Sequence, residues 1–456
     1  MKATLAIAIA AFGVATACSA RADPSTTTSP ASPPPLGQKR PAPDYGRPRR
    51  REDTGRQIVP WIPRVVLSPI YLATEYGIRA PLSVVVPAAE EAELPRKARD
   101  FFLFLPDHKG GILPVGYLDF GLNPSVGVYG FWKDAFAAGN DWHAHAEVWP
   151  TDWYAVSVDE SARLDRDKTI QFRFSGSHRP DRVFYGIGPD TLQSSQSRYT
   201  DAVVDEGVSL RWKYWRASRI ELAVGLRSDD PGPGHYGHDP SLQQEAATGA
   251  FAIPFGYGER YTAEYNRIVA SLDSRRPAPA AGSGVRVEGN AEQVSNLLGT
   301  PASGWIRYGA TAGGFLDLDG YGHVLGLSVV ASFADPLGTA PVPFTELVGL
   351  GGEEPMLGYL PRRLVDRSAA VAALRYTWPL APFFGGTLEA ALGNVFDEHL
   401  SGLRTGRLRF SGDLGIATVG LSDYQIEAVV AMGSETFERG GQIDSFRVKL
   451  SLNHGF

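Results

Sequence analysis

The chain has 456 residues, and its 44 Lys and Arg against 50 Asp and Glu give a net charge of −6, which excludes the basic character expected of a nucleic-acid-binding protein. It contains 51 glycines and 11% aromatic residues but only one cysteine. This composition is typical of a turn-rich β protein that is exported without disulfide bonds.

The first 22 residues have the features of a secretory signal peptide. Lys2 supplies a positive start, residues 5–16 form an apolar run too short to span a bilayer, and Ala20-Arg21-Ala22 fits a cleavage site. Cys18 leaves a second interpretation open, in which a lipid-anchored Cys18 is the new N-terminus. Because Ala15 is a weak residue where such lipoproteins usually carry leucine, we expect Cys18 to be lost with the leader.

Residues 23–57 are rich in Pro, Ser, Thr and Arg, and we predict a disordered tether because this composition buries too little apolar surface to offset the entropy of ordering. Residues 58–98 are predicted to form a short periplasmic helical segment. Ser68 resembles an N-cap before Pro69, and Gly77 resembles a stop, which predicts a helix over 69–76. This helix either covers the mouth of the following domain or inserts into it, or it is a packing segment before the first strand.

From residue 99 to residue 456 apolar and polar residues alternate with a period of two. Strands of this kind place the two sets on opposite faces. The clearest example is Val208, Leu210, Trp212 and Tyr214, which alternate with Ser209, Arg211 and Lys213. Runs of this length recur to the end of the chain between turn-forming segments, and no segment offers the ~20 uninterrupted apolar residues of a spanning helix. The pattern predicts an all-β fold, a transmembrane antiparallel β-barrel of about sixteen strands, with lipid outside and a hydrated lumen inside.

The final strand carries a candidate targeting signal. Its apolar face consists of Phe446, Val448, Leu450, Leu452, His454 and the terminal Phe456. Arg447, Lys449, Ser451 and Asn453 form the other face. An alternating last strand that ends in Phe resembles the signal by which the outer-membrane assembly machinery recognises its substrates.

Residues 350–396 resemble the bacterial surface antigen superfamily of sixteen-stranded barrels, which includes the outer-membrane barrel-assembly factor and the two-partner-secretion transporters. The matching positions are Gly351, Gly352, Leu357, Gly358, Tyr359, the run 374–380 and the run 393–396. Weaker matches extend the resemblance over roughly residues 100–456. The resemblance implies that residues 350–367 form a long sixth loop that folds into the lumen and gates it.

Three positions depart from the superfamily pattern. The loop arginine falls on Leu357, the lumen aspartate that it usually meets falls on Ala391, and the strand glutamate falls on Arg375. A buried charge left without its partner is costly, so the loss of both partners together is consistent with a retained fold whose lumen contact has been rebuilt. Arg375 and Glu389 lie on consecutive strands with lumen parity, which predicts a substitute ion pair. The alternative is that both side chains simply face water in the lumen.

The sequence carries few signs of catalysis. It has no Gly-x-Ser-x-Gly elbow, and the histidines at 143, 145, 235 and 238 match no standard metal-binding pattern. We therefore expect a protein that is not an enzyme, with no catalytic residues, metal or cofactor.

Three functions remain open. The first is a surface-antigen-type barrel that inserts or translocates protein or lipid through a labile seam between the first and last strands. The second is a diffusion channel or plugged pore, and the third is a surface adhesin or antigen. Members of the superfamily that assemble or export proteins carry periplasmic POTRA domains, for which we see no room between residues 23 and 99, and this favours the second and third functions. The loop and strand motifs at residues 350–396 favour the first. In each case we expect a monomeric barrel in the outer membrane of a Gram-negative bacterium, with outer-membrane lipid, lipopolysaccharide and, during biogenesis, the assembly machinery as partners.

Overall fold

The structure, a computed structural model, describes residues 101–149, 152–276, 282–298, 304–381, 384–418 and 425–453. The predicted signal peptide (1–22), tether (23–57) and helical segment (58–98) lie outside the described residues, as does Phe456. The chain divides into two units, 1–46 and 47–456, and everything described below belongs to the second.

Eighteen strands make up most of the described chain, and their bounds are as follows. They are β1 Gly110–Asp119, β2 Ser125–Trp132, β3 Asn140–Trp149, β4 Trp153–Arg163, β5 Lys168–Phe184, β6 Ser197–Trp215, β7 Ser218–Pro233, β8 Tyr261–Asp273, β9 Gly284–Leu298, β10 Gly304–Asp317, β11 Val324–Pro336, β12 Val348–Leu350, β13 Leu364–Asp366, β14 Ser368–Ala381, β15 Phe384–Phe396, β16 Arg409–Thr418, β17 Gln425–Ser434 and β18 Ile443–Asn453. The helical elements are α1 Leu242–Ala247 and the short 3-10 turns Pro106–His108, Gln193–Ser195, Phe344–Glu346, Glu398–Leu400, Thr405–Arg407 and Phe437–Arg439. No helix within the described ranges is long and apolar enough to cross a membrane.

Sixteen of the strands form one closed antiparallel barrel, and β12 and β13 form a separate two-stranded hairpin. Each barrel strand pairs with its neighbour in the chain, β11 pairs with β14, and β1 pairs with β18 to close the ring. Because the ring is closed, each of its described strands pairs its backbone N–H and C=O groups with a neighbour on both sides, which is the condition for a sheet to span a bilayer. The predicted sixteen-stranded transmembrane barrel is confirmed.

Side chains alternate between the two surfaces of the barrel as the period of two predicted. On β6, Val208 and Leu210 are exposed on the outer face, whereas Asp205 on the opposite parity bonds to a tyrosine and an arginine of the interior. The large exposed hydrophobic side chains therefore form the lipid-facing surface, and the charged side chains line the lumen.

The two rims of the barrel differ in their connections. At one rim the connections are short, such as residues 216–217 between β6 and β7. At the other rim they include residues 234–260 between β7 and β8 and residues 337–367 between β11 and β14. We call residues 337–367 the inward loop, because its side chains pack inside the barrel. The short-turn rim also holds the start of β1 and the end of β18.

A hydrophobic cluster fills the lumen at the long-loop end. Phe344 and Leu347 of the inward loop pack there against Tyr199, Tyr261 and Trp305 of the barrel wall. Leu242 joins the cluster from α1, whose N-terminus is fixed by a capping box between Ser241 and Gln244. Segments from two long loops thus pack against the barrel wall inside the lumen at this level.

Candidate functional site: the inward loop and the barrel seam

The predicted loop glycines form a turn that only glycine can adopt. Gly351 and Gly352 have φ angles of 106° and 87°. A Cβ on Gly351 would overlap the carbonyl oxygen of Leu360, and a Cβ on Gly352 would lie 2.6 Å from the Cα of Pro361. The N–H of Gly352 donates to Tyr359 O at 2.7 Å, so residues 351–361 form a compact tip.

Gly358 brings this tip into direct contact with the barrel wall. A Cβ at this position would overlap the carbonyl oxygen of Met432 on β17. The Gly358 N–H donates to the hydroxyl of Ser411 at 2.9 Å, and the hydroxyl of Ser445 donates to Gly358 O at 2.6 Å. One glycine thus contacts β16, β17 and β18.

Tyr359 anchors the next position of the tip. Its side chain is buried, and its hydroxyl lies 2.8 Å from Phe410 O and 2.7 Å from Ser434 O and accepts from the Ser434 N–H at 2.8 Å. Burial raises the pKa of the Tyr359 hydroxyl to about 12, so it remains a neutral donor.

The two positions that lack the superfamily's charged residues lie in apolar surroundings. Leu357 packs against Val429 and Ala431 of β17. Ala391 packs in a cluster that includes Met356 and Tyr359 of the tip. The absence of both charges is therefore matched by hydrophobic contacts between the tip and the wall.

The predicted pair of Arg375 and Glu389 is present in the structure. Arg375 Nε donates to Glu389 Oε2 at 2.7 Å, and the two residues lie directly opposite each other on β14 and β15. The same guanidinium also contacts Glu354 of the inward loop. Sequence reasoning did not identify Glu354. Its contact with Arg375 links the barrel wall to the inward loop. The gating role of these residues remains a prediction.

The seam that closes the barrel joins β1 to β18. Within the described residues these strands share four register pairs, from Gly116 with Leu452 to Asp119 with Lys449, whereas β17 and β18 share ten. One further hydrogen bond joins Phe120 N to Val448 O at 3.3 Å. In the described part of the chain, the seam therefore has fewer register pairs than the strand pair beside it.

A buried ion pair connects this seam to the loop tip. Arg447 of β18 contacts Asp119 of β1 through Nη2 and, at 3.2 Å, through Nε. Its Nη1 donates to Leu357 O at 2.6 Å and to Tyr359 O at 2.5 Å. Both residues are at most 2% exposed. We call Asp119, Arg447 and the two loop carbonyls the seam clasp, because one guanidinium holds the first strand, the last strand and the tip together.

Sequence reasoning missed the seam clasp. Arg447 was assigned to the polar face of the last strand, but its partner lies 328 positions away. The available signal was the parity of Asp119 and Arg447, which places both inside the barrel at its closing strands.

A second anchor holds the base of the inward loop. The carboxylate of Glu346 lies 3.0 Å from Arg307 Nη1 and 3.3 Å from Arg227 Nη1, and it accepts from the Tyr261 hydroxyl at 2.6 Å. Burial alone would raise the pKa of Glu346, but Arg307 and Arg227 outweigh it and hold that pKa at about 2.

The remaining predicted residues lie elsewhere. Phe446 and Leu450 are exposed on the lipid face of β18 and Val448 shares their parity, as the predicted targeting strand requires, while the side chain of Leu452 lies outside the described residues. His145 is buried beside Glu147 at 2.8 Å. Within the described ranges, no three His, Cys, Asp or Glu side chains are arranged to hold a metal ion.

No family model matches the chain, and no curated protein matches it by sequence. Among solved structures, the BamA of Haemophilus ducreyi lacking POTRA domains 1–3 superimposes with a TM-score of 0.51 at 13% identity, over 75% of this chain and 70% of that one. The CdiB of Acinetobacter baumannii superimposes with a TM-score of 0.47 at 9% identity, over 76% of this chain and 60% of that one. The likeness to BamA is one of fold. The chain therefore shares the sixteen-stranded barrel fold of that BamA structure.

Proposed function

We propose that this outer-membrane barrel inserts or translocates protein or lipid by opening the seam between β1 and β18 when the tip of the inward loop leaves the lumen wall. The observation that carries the proposal is the seam clasp, because Arg447 holds Asp119 of β1 and also Leu357 O and Tyr359 O of the tip, so that release of the tip would loosen the contact that joins the first and last strands. The barrel works without catalysis, and the gate residues act by binding and release.

The proposal assigns the long-loop rim to the cell exterior and the short-turn rim to the periplasm, since outer-membrane barrels have short periplasmic turns and longer extracellular loops. The protein is a monomer in the outer membrane of a Gram-negative bacterium after removal of its signal peptide. Its partners are outer-membrane lipid, lipopolysaccharide and, during its own biogenesis, the assembly machinery, for which the apolar face of β18 is the recognition element.

A disulfide across the seam tests this proposal. Leu118 and Leu450 are register partners on the lipid face, so Leu118→Cys with Leu450→Cys locks β1 to β18 in a chain whose Cys18 is replaced by Ser. The control is Leu374→Cys with Ala390→Cys, which crosslinks β14 to β15 in the same way.

We expect the seam-locked protein to fail to restore outer-membrane protein and lipopolysaccharide levels in a deletion strain until a reductant is added, whereas the control restores them. Full complementation by the locked seam would contradict the proposal.

A plugged diffusion pore is the second candidate, favoured by the hydrophobic cluster that fills the long-loop end. Deleting residues 350–367 would then raise single-channel conductance of the purified barrel while the seam-locked form conducts equally well. Such a result would assign the inward loop to a pore instead of a lateral opening.

A further inference from the structure

Cationic side chains are concentrated on one wall of the lumen, below the hydrophobic cluster and toward the short-turn rim. They share the inward parity of β5–β9. We call them the arginine wall: Arg173, Arg211, Lys213, Arg219, Arg267 and Arg286. The arginine side chains are between 32% and 53% exposed, so water in the lumen reaches them.

Three carboxylates form hydrogen bonds with this wall, which leaves it with a surplus of positive charge. Asp159 bonds to Arg173 at 2.7 Å, Glu221 to Arg211 at 3.0 Å, and Glu288 to Arg286 at 2.7 Å. The neighbouring Asp205 and Glu292 are hydrogen-bonded by Arg227 and Arg307, which belong to the anchor of the inward loop. In the described part of these strands, the cations of the arginine wall therefore outnumber the acids that neutralise them.

Two guanidinium groups of the wall have unused donors. Arg267 comes no closer to a carboxylate than 3.8 Å from Glu221 and 4.0 Å from Glu292, distances too long for hydrogen bonds. Arg219 has a single contact of 3.5 Å with Glu288. Both side chains are nevertheless about two-fifths exposed to the lumen, at 41% for Arg219 and 37% for Arg267. The exposed part of such a guanidinium can donate a charge-assisted hydrogen bond to an oxyanion.

The opposite side of the lumen has the reverse charge. The strand order places β6 and β7 across the barrel from β16 and β17. Toward the short-turn rim of that side, Glu354, Glu389, Asp413 and Glu427 outnumber Arg375 and Lys449. Nearer the long-loop rim, Arg409 and Arg447 are paired with Glu435 and Asp119. The resulting field across the lumen directs a soluble anion toward the arginine wall.

We propose that the arginine wall is a binding site for a water-soluble oxyanion with at least two phosphate or carboxylate groups, which enters from the short-turn rim. The wall faces the lumen and not the bilayer, so the ligand is soluble and is not a membrane lipid. Arg219 and Arg267 lie four residues apart in register, about 13 Å along the strands, which favours an extended polyanion over a single phosphate. This site goes beyond the proposed lateral opening and requires only the closed barrel.

Calorimetric titration of tripolyphosphate into the complete, detergent-folded barrel at low salt tests the site. We expect saturable binding at least about tenfold tighter than that of orthophosphate, and a loss of about tenfold or more in Arg267→Gln and in Arg219→Gln, since each removes a charge-assisted hydrogen bond. The matched control is Lys449→Gln, which removes one lumen charge from the opposite wall and is expected to change the affinity by less than about twofold.

Heat-modifiable mobility on a gel confirms that each variant is folded, and Lys213→Gln replaces either arginine variant that fails to fold. Absence of saturable binding to the unaltered barrel would overturn the proposal. Equal weakening by Lys449→Gln would also overturn it, because the binding would then reflect only the total charge of the lumen. Failure of the seam-locking experiment would leave this result unaffected, since the ligand binds the closed barrel.

Discussion

Arg447 joins the first and last strands of the barrel through its buried ion pair with Asp119. Asp119 and Arg447 are both buried, so removing one partner leaves an isolated charge, which costs about 3–5 kcal/mol. We expect Asp119→Leu and Arg447→Met each to lower the temperature at which the barrel loses its folded mobility on a gel. The double variant should be less destabilised than the sum of the two, with a coupling energy of at least about 1 kcal/mol. Strict additivity would show that the two residues do not act as a pair.

The two lumen pairs show what sequence reasoning can find at the scale of single residues. Arg375 and Glu389 were predictable because they lie on adjacent strands joined by a short turn, where parity fixes the face and the hairpin fixes the register. Asp119 and Arg447 meet only because the ends of the chain close the ring. Their contact depends on the number of strands and on the register of the last pairing, neither of which is encoded locally.

At the scale of elements, the inward loop is anchored at its base by Glu346 as well as at its tip by the seam clasp and its neighbouring contacts. The pKa of Glu346 is depressed in the folded protein to about 2, against about 4.3 in an unfolded chain. Its stabilising effect is therefore complete above about pH 4.3 and is lost as the pH falls toward 2.

We expect hydrogen exchange in residues 340–367, corrected for the intrinsic pH dependence, to accelerate between about pH 4 and pH 2. Glu346→Gln should show the faster exchange already at pH 7. Glu398→Gln is the control, because Glu398, which follows β15, pairs with Arg367 at the end of the inward loop but is 57% exposed. Equal acceleration in both variants would mean that the base of the loop has no special anchor.

The elements themselves were largely predictable, but their packing was not. The period of two identified the strands, and the Gly351-Gly352 motif identified a loop that enters the lumen. The α1 helix and the aromatic cluster around Phe344 were not predicted, because residues 234–260 have the Gly, Pro and Asp content of an ordinary surface turn. A loop that packs into a lumen buries its apolar residues against several distant strands. Such packing leaves no periodic pattern in the sequence of the loop itself.

At the scale of the whole molecule, the fold requires that adjacent residues of one strand contact lipid and water in turn. Leu222 on β7 and Ser209 on β6 test this requirement at nearly the same depth, because Leu222 pairs with Leu210, the residue after Ser209. Leu222 is 49% exposed on the lipid face, whereas Ser209 lies on the inward parity beside Arg211.

We expect Leu222→Arg to cost about 2–4 kcal/mol of folding free energy in lipid vesicles, as a charge facing hydrocarbon does near the middle of a bilayer. Ser209→Arg should fold almost as well as the unaltered chain, because its guanidinium reaches water in the lumen. Folding yield measured by gel mobility after dilution from urea into vesicles distinguishes the two, and equal loss in both variants would contradict an outer face that contacts lipid and an inner face that contacts water.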